Sequence, residues 1–159
     1  MTAKTAGKKR ILVVHGVNLD LLGRREPDVY GKTTLKEIDA QLVKAAPEIA
    51  RIAGLSGIDL QTFQTNDEAA LFAELTKPWD GVVINPGAWT HTSLALADRL
   101  KGLALPYVEV HLSNVAAREE FRRHSFTAAA AAGCVHGLGA ESYLAGLFGL
   151  CLKLAASRA

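Results

Sequence analysis

The sequence predicts an α/β fold in three layers, a five-stranded parallel sheet covered by helices on both faces, built as one domain over residues 1–159 with residues 1–9 as an N-terminal tail. Three observations predict it. Short apolar runs rich in β-branched residues alternate about five times with longer stretches of helical spacing, the pattern of successive βα units. No linker, repeat or composition break interrupts the alternation. At 159 residues and 49% hydrophobic, the chain is long enough to bury a full core without staples.

The elements follow in order. RILVVHG (10–16) reads as a strand buried on both faces. The stretch 33–54 repeats Leu35, Ile38, Leu42, Ala45, Ala46 and Ile49 at helical spacing. Thr34 with Glu37 three residues on forms a capping signature at its start. Pro47 inside it predicts a kink or a fresh turn, and Gly54 and Gly57 end it. IDLQTFQ (58–64) alternates like a strand, and 66–77 reads as a helix capped by Asn66. GVVINPG (81–87) is the third strand, 90–103 the next helix, and PYVEVHL (106–112) the fourth strand. A short helix is expected over 117–125. The stretch 128–137 is ambiguous, because its alanines favour helix while the topology asks for a strand. An apolar helix over 141–157 closes the chain.

Composition narrows the function classes. A net charge of +2, with no basic tract beyond Lys8-Lys9-Arg10, argues against nucleic acid as a partner. Cys134 and Cys151 sit in apolar contexts and are expected as buried free thiols. No apolar stretch reaches the roughly 18 residues a bilayer requires, and Asn18 and Asp20 interrupt the first apolar run too early for a signal sequence. A cytoplasmic protein with no membrane partner is therefore expected.

In parallel sheets ligands bind beyond the carboxyl ends of the strands, so the polar residues just past each strand matter most. After the first strand, VHGVNLDLLGRREPDVYG (14–31) is far longer than the usual 2–6-residue connection, and it carries Asn18, Arg24, Arg25 and Tyr30. After the third come Asn85 and His91; the fourth ends in Glu109, His111, Leu112, Ser113 and Asn114. Arg118 and Arg122 follow, one turn apart on the expected short helix.

Each of these residues also has a plainer reading: Tyr30 as packing, His111 as a core histidine, His91 as a cap, Asn85 as turn chemistry. Their collection on one rim is what argues for a site. Guanidinium groups and hydroxyls suit a small hydroxylated anion bound through a carboxylate. No GxGxxG, Walker loop or metal-ligand spacing occurs, so acid–base chemistry without a cofactor or metal is expected. A tyrosine serves as a base once its pKa falls from about 10 toward neutrality, a shift of about 4 kcal/mol that an adjacent arginine can supply. A histidine held by Glu109 could deliver the opposite proton, and Asn18 or Asn85 could position a water at an oxyanion.

The blocks NLDLLGRREPDVYG, INPGAWTHTS and EVHLSNVAAREEFRRHS, in this order and spacing, resemble the type II 3-dehydroquinate dehydratases over about residues 11–150. The resemblance implies a flavodoxin-like fold with strand order 2-1-3-4-5, and trimers assembled into a dodecamer. It implies cofactor-free anti elimination of water from 3-dehydroquinate through an enolate, in shikimate or quinate metabolism. On that resemblance Tyr30 is the base, Arg25 favours its phenolate, His111 is the general acid oriented by Glu109, and Asn18 holds a water at the enolate. Asn85, His91, Leu112, Ser113 and Arg122 match substrate-binding positions. Asp98 matches a carboxylate reaching a neighbouring subunit's site, Arg118 a loop clamp, and residues 24–31 a mobile lid. HGVN stands against the family pattern NGPN, so an imidazole at position 15 is expected at the mouth of the first strand, bearing on the pH profile or the lid's packing. The alternative is a flavodoxin-like paralogue that keeps the site and binds a related cyclic hydroxy acid without efficient turnover. A flavin-binding module lacks its serine- and threonine-rich loop after the first strand.

Overall fold

The structure is a computed structural model that describes residues 7–24 and 32–157. Five strands form one parallel sheet in the order β2-β1-β3-β4-β5. They are β1 (Lys9–His15), β2 (Ile58–Gln64), β3 (Gly81–Asn85), β4 (Tyr107–His111) and β5 (Gly133–His136). β1 therefore starts inside the expected tail, where Lys9 Nζ reaches Asp80 at 2.8 Å. The central strands are continuous apolar runs because both faces are covered. Ile11, Val13 and Val83 point into one core with Ile38, Leu42, Tyr143 and Leu147, while Leu12, Val14, Val82 and Ile84 point into the other with Leu71, Leu75, Leu96 and Leu100.

The helices are α1 (Leu35–Ala53), α2 (Glu68–Leu75), α3 (Leu94–Leu103) and α4 (Glu141–Ala156). α1 carries the expected capping box, Thr34 and Glu37 each bonding the other's backbone, and ends on Gly54 at φ 76°. It runs uninterrupted through Pro47, and the carbonyl one turn back belongs to exposed Val43, where water can take the place of the missing N–H. α2 is capped by Asp67 rather than Asn66: the Asp67 carboxylate accepts from Ala69 N at 2.9 Å, and the Asn66 amide oxygen is taken by Asn18 N at 2.8 Å. The expected helix over 90–103 is split. A single turn, Trp89–Thr92, ends at Ser93, whose backbone is extended and whose hydroxyl caps α3 by accepting from Leu96 N.

The short helix expected over 117–125 is instead two 3₁₀ turns, Val115–Ala117 and Glu120–Arg122. The extended backbone of Arg118 separates them. The alanine-rich 128–137 becomes a 3₁₀ turn and then β5, because pairing with β4 outweighs helix propensity. β5 is an edge strand, so Cys134 is exposed and only Cys151 is a buried thiol. No helix among the described residues is long and apolar enough to cross a membrane.

The sheet order brings the carboxyl ends of β1, β3 and β4 side by side. The loops after β1 and β3 are locked together: Gly16 N donates to Asn85 O at 2.8 Å, and a Cβ on Gly16 would lie 2.5 Å from Pro86 O. Gly87, at φ 61°, passes equally close to Val17 O.

Candidate active site

At this locked rim lies a cavity of about 290 Å³. The loop after β1 contributes Asn18, whose left-handed backbone (φ 65°) is one that asparagine tolerates. β3 ends at Asn85, and the turn after it presents His91. β4 delivers His111, Leu112 and Ser113, and the 3₁₀ segment adds Arg118 and Arg122. Eight of the sequence-predicted site residues thus line one cavity. Glu109 stands directly behind His111. Asp98, on α3, is exposed and does not line the cavity. Arg25, Tyr30 and all but the first residue of the expected lid (24–31) lie outside the described residues.

β4 sets the acid–base pair by simple alternation, since residues two apart share a face. His111 Nε2 lies 2.7 Å from Glu109 Oε1. Glu109 is 1% exposed. Its first oxygen also accepts from Thr90 Oγ1 at 2.7 Å and Ser125 Oγ at 3.2 Å, and its second from Thr127 Oγ1 at 2.5 Å. Burial pushes the Glu109 carboxyl up, but hydrogen bonds from His111 and Thr127, the His111 charge and the Thr90 hydroxyl outweigh it and hold the pKa below the ordinary carboxylate value. An ionised Glu109 fixes the proton on Nε2 of His111, leaving Nδ1 as the nitrogen for proton exchange with a ligand.

The three hydroxyl residues are site components that the sequence reasoning missed. They come from the turn after β3 and the segment before β5, and the only local signal was the density of hydroxyls in THTS and HSFT. Tyr107, buried and donating its hydroxyl to Thr127 O, ties the second of these segments to the sheet.

The remaining cavity wall favours an anion. His91 donates from Nδ1 to His124 O at 2.7 Å, which fixes its ring. Arg118 and Arg122 meet at Glu119, at 3.6 and 3.4 Å, so a shared carboxylate rather than a shared helix face brings them together. The Arg122 guanidinium also lies 5.2 Å from the Phe121 ring centre. Two arginines and two histidines reach the cavity, and among the described residues no carboxylate lines it. Asn85 Oδ1 accepts from Gly87 N at 3.1 Å, which reserves its NH₂ group for other partners. Among the described residues no group of three or more His, Cys, Asp or Glu could hold a metal ion.

Related proteins share this architecture. The family model described as dehydroquinase class II matches residues 9–151. A 3-dehydroquinate dehydratase of Polynucleobacter asymbioticus is 51% identical over 140 residues, covering 86% of this chain and 89% of its own length. The 3-dehydroquinate dehydratase 1 of Ralstonia nicotianae is 50% identical over 141 residues, covering 86% of each. The crystal structure of a type II dehydroquinase from Propionibacterium acnes superposes with a TM-score of 0.79 at 44% identity, over 91% of this chain and 97% of that one. With its five parallel strands in the order β2-β1-β3-β4-β5, the chain belongs to the class II dehydroquinase family.

Proposed function

We propose that this chain is a hydro-lyase that removes water from 3-dehydroquinate, giving the conjugated enone 3-dehydroshikimate, without a cofactor. The observation that carries the reading is His111 at the cavity wall, braced by a buried ionised carboxylate beside an arginine-rich anion site. Tyr30 as phenolate, favoured by Arg25, takes the proton on the carbon next to the ketone, and the bond's electrons move into an enolate. Asn18 holds a water that donates to the enolate oxygen. The enolate collapses, the hydroxyl on the carbon bearing the carboxylate leaves, and His111 protonates it as it departs. One proton has been taken and one given, so the products are the enone and water. Solvent then returns the proton from Tyr30 to His111.

Asn85, His91 and Arg122 bind the ring substituents, and Leu112 and Ser113 engage the carboxylate. Arg118 clamps the lid, residues 24–31. The relatives at about half identity carry the dehydratase name, which does not favour a binding-only paralogue. One domain houses each site, in the cytoplasm, with protomers arranged as trimers within a dodecamer. Exposed Leu94 and Asp98, four apart on the outer face of α3, support a subunit contact there.

Mixing pure protein with 3-dehydroquinate should produce the ultraviolet absorbance of the enone, and Tyr30→Phe should abolish turnover while still binding substrate. No product at micromolar enzyme sinks the reading, and a fully active Tyr30→Phe rejects the assigned base.

A further inference from the structure

His15, the last residue of β1, stands at the mouth of the strand as expected, but it is 1% exposed and does not line the cavity. Its ring lies between α1 and α4, with Nε2 2.8 Å from Asp39 Oδ1 and Nδ1 2.8 Å from Tyr143 Oη. Thr62 Oγ1 donates to the other Asp39 oxygen at 3.2 Å. Tyr143 is fully buried, and the Asn85 side-chain amide lies beside its hydroxyl. His15 and Asn85 are themselves cross-strand neighbours in the β1–β3 register.

With Asp39 accepting at both oxygens, from Thr62 Oγ1 and from His15 Nε2, the roles along the rest of the chain follow. An imidazole with its one proton on Nε2 accepts at Nδ1, and Tyr143 O–H is then the donor there. Its oxygen is left to accept from Asn85 N–H. Asn85 Oδ1 independently accepts from Gly87 N at 3.1 Å, which demands the same orientation of the amide. Burial pushes the Tyr143 phenol above its ordinary range, so it stays a donor. An imidazolium would instead donate from both nitrogens. Tyr143 would then turn its proton toward Asn85, the amide would have to flip, and Gly87 N–H would lose its acceptor.

We propose that Asp39, His15 and Tyr143 form a one-way hydrogen-bonded brace that locks the Asn85 amide with one N–H directed at an acceptor oxygen of the ligand. His15 and Tyr143 are thus positioning residues acting through Asn85, and the brace rests on the reading of Asn85 as a substrate-binding residue. A locked donor recognises a hydroxyl or carbonyl oxygen, whereas a freely flipping amide presents the wrong face part of the time. The brace is assembled from α1, β1 and α4, outside the cavity wall, so its members are not seen by inspecting the residues that line the site.

Substrate affinity separates this role from a structural one. Dissociation constants for 3-dehydroquinate are measured by calorimetry in the Tyr30→Phe background, and KM and kcat with Tyr30 intact. Tyr143→Phe keeps the ring's volume and should weaken binding and raise KM about tenfold, with kcat within about threefold. His15→Leu should match it, and the two together should be no worse than either, because both cut one chain. His15→Gln offers an oxygen to Tyr143 and an N–H to Asp39 and should restore affinity to within about threefold of the parent. Asp39→Ala, at a partly exposed site, should weaken binding about threefold. Unchanged affinity in Asp39→Ala and Tyr143→Phe, or a His15→Gln as weak as His15→Leu, overturns the brace. If the protein binds 3-dehydroquinate through the brace but never converts it, the dehydratase reading fails and the brace stands; no binding by the parent overturns both.

Discussion

Glu109 is almost wholly removed from water, yet its surroundings favour the charge because donors from three segments converge on its two oxygens. The pKa of this group is lower in the folded protein than in the unfolded chain. It therefore contributes stability that is complete above the ordinary glutamate value, about 4.3, and is lost as pH falls through the folded value. Glu109→Gln removes that dependence and places an amide NH₂ against donors. At pH 7 it should be less stable than the parent by about 1–3 kcal/mol, with the difference narrowing between pH 5 and the acid limit. Urea unfolding at pH 7 and at pH 3.5 tests this, and a difference that widens in acid would contradict it. The pairing of Glu109 with His111 was legible in the sequence because strand alternation is a local rule. The hydroxyls of Thr90, Ser125 and Thr127 were not, because a buried acceptor for them exists only once distant segments meet. Asn66 was misread for a similar reason: it and Asp67 are both good caps, and only the tertiary demand of Asn18 N decides between them.

At the scale of elements, the fully buried strands were the easiest to read, since β1 and β3 are covered on both faces and so carry uninterrupted apolar residues. Helix boundaries were less legible. Ser93 looked like the interior of one helix, and its role as a cap rests on a hydrogen bond to Leu96 N and a second to the Glu68 carboxylate on α2. The segment after β4 carries helix-forming residues, but the Asn114 side chain accepts from Ala116 N and the chain extends at Arg118, which breaks it into short turns. α4 shows how closely a helix can approach the sheet. A Cβ on Gly146 would lie 2.4 Å from Val110 Cγ1, on the strand that ends in His111, whereas a Cβ on Gly149 would meet nothing within 4 Å. Replacing a mid-helix glycine by alanine alone stabilises by up to about 1 kcal/mol, but overpacking a filled core costs about 1–3 kcal/mol. Gly149→Ala should therefore raise the melting temperature and Gly146→Ala lower it. Equal effects of the two in calorimetry would mean that the α4–β4 approach is not tight.

The whole molecule places the cavity where the chain reverses direction across the sheet, with β1 and β3 adjacent and β2 on the far side of β1. Alternation in the sequence leads to a parallel sheet; the order of its strands came from the family resemblance, because no local pattern distinguishes one parallel order from another. One proposed site residue is separated from this cavity. Asp98 lies exposed on α3, one turn beyond exposed Leu94, and does not line this cavity. If each site draws Tyr30 from one subunit and Asp98 from the next around a closed trimer, the contact is heterologous, and two defective chains can repair each other. A Tyr30→Phe chain lacks its own base but lends a sound Asp98. An Asp98→Ala chain retains the base and spoils only its neighbour's site. In trimers assembled at random from equal amounts of the two, roughly a quarter of the sites combine an intact Tyr30 with a neighbour's intact Asp98. Co-expression of the two variants under distinct tags, with mixed assemblies isolated on both, should therefore give dehydratase activity well above either parent and near that fraction of the unmodified enzyme. Activity no greater than the mean of the two parents would return Asp98 to the role of an ordinary surface carboxylate and confine each site to a single chain.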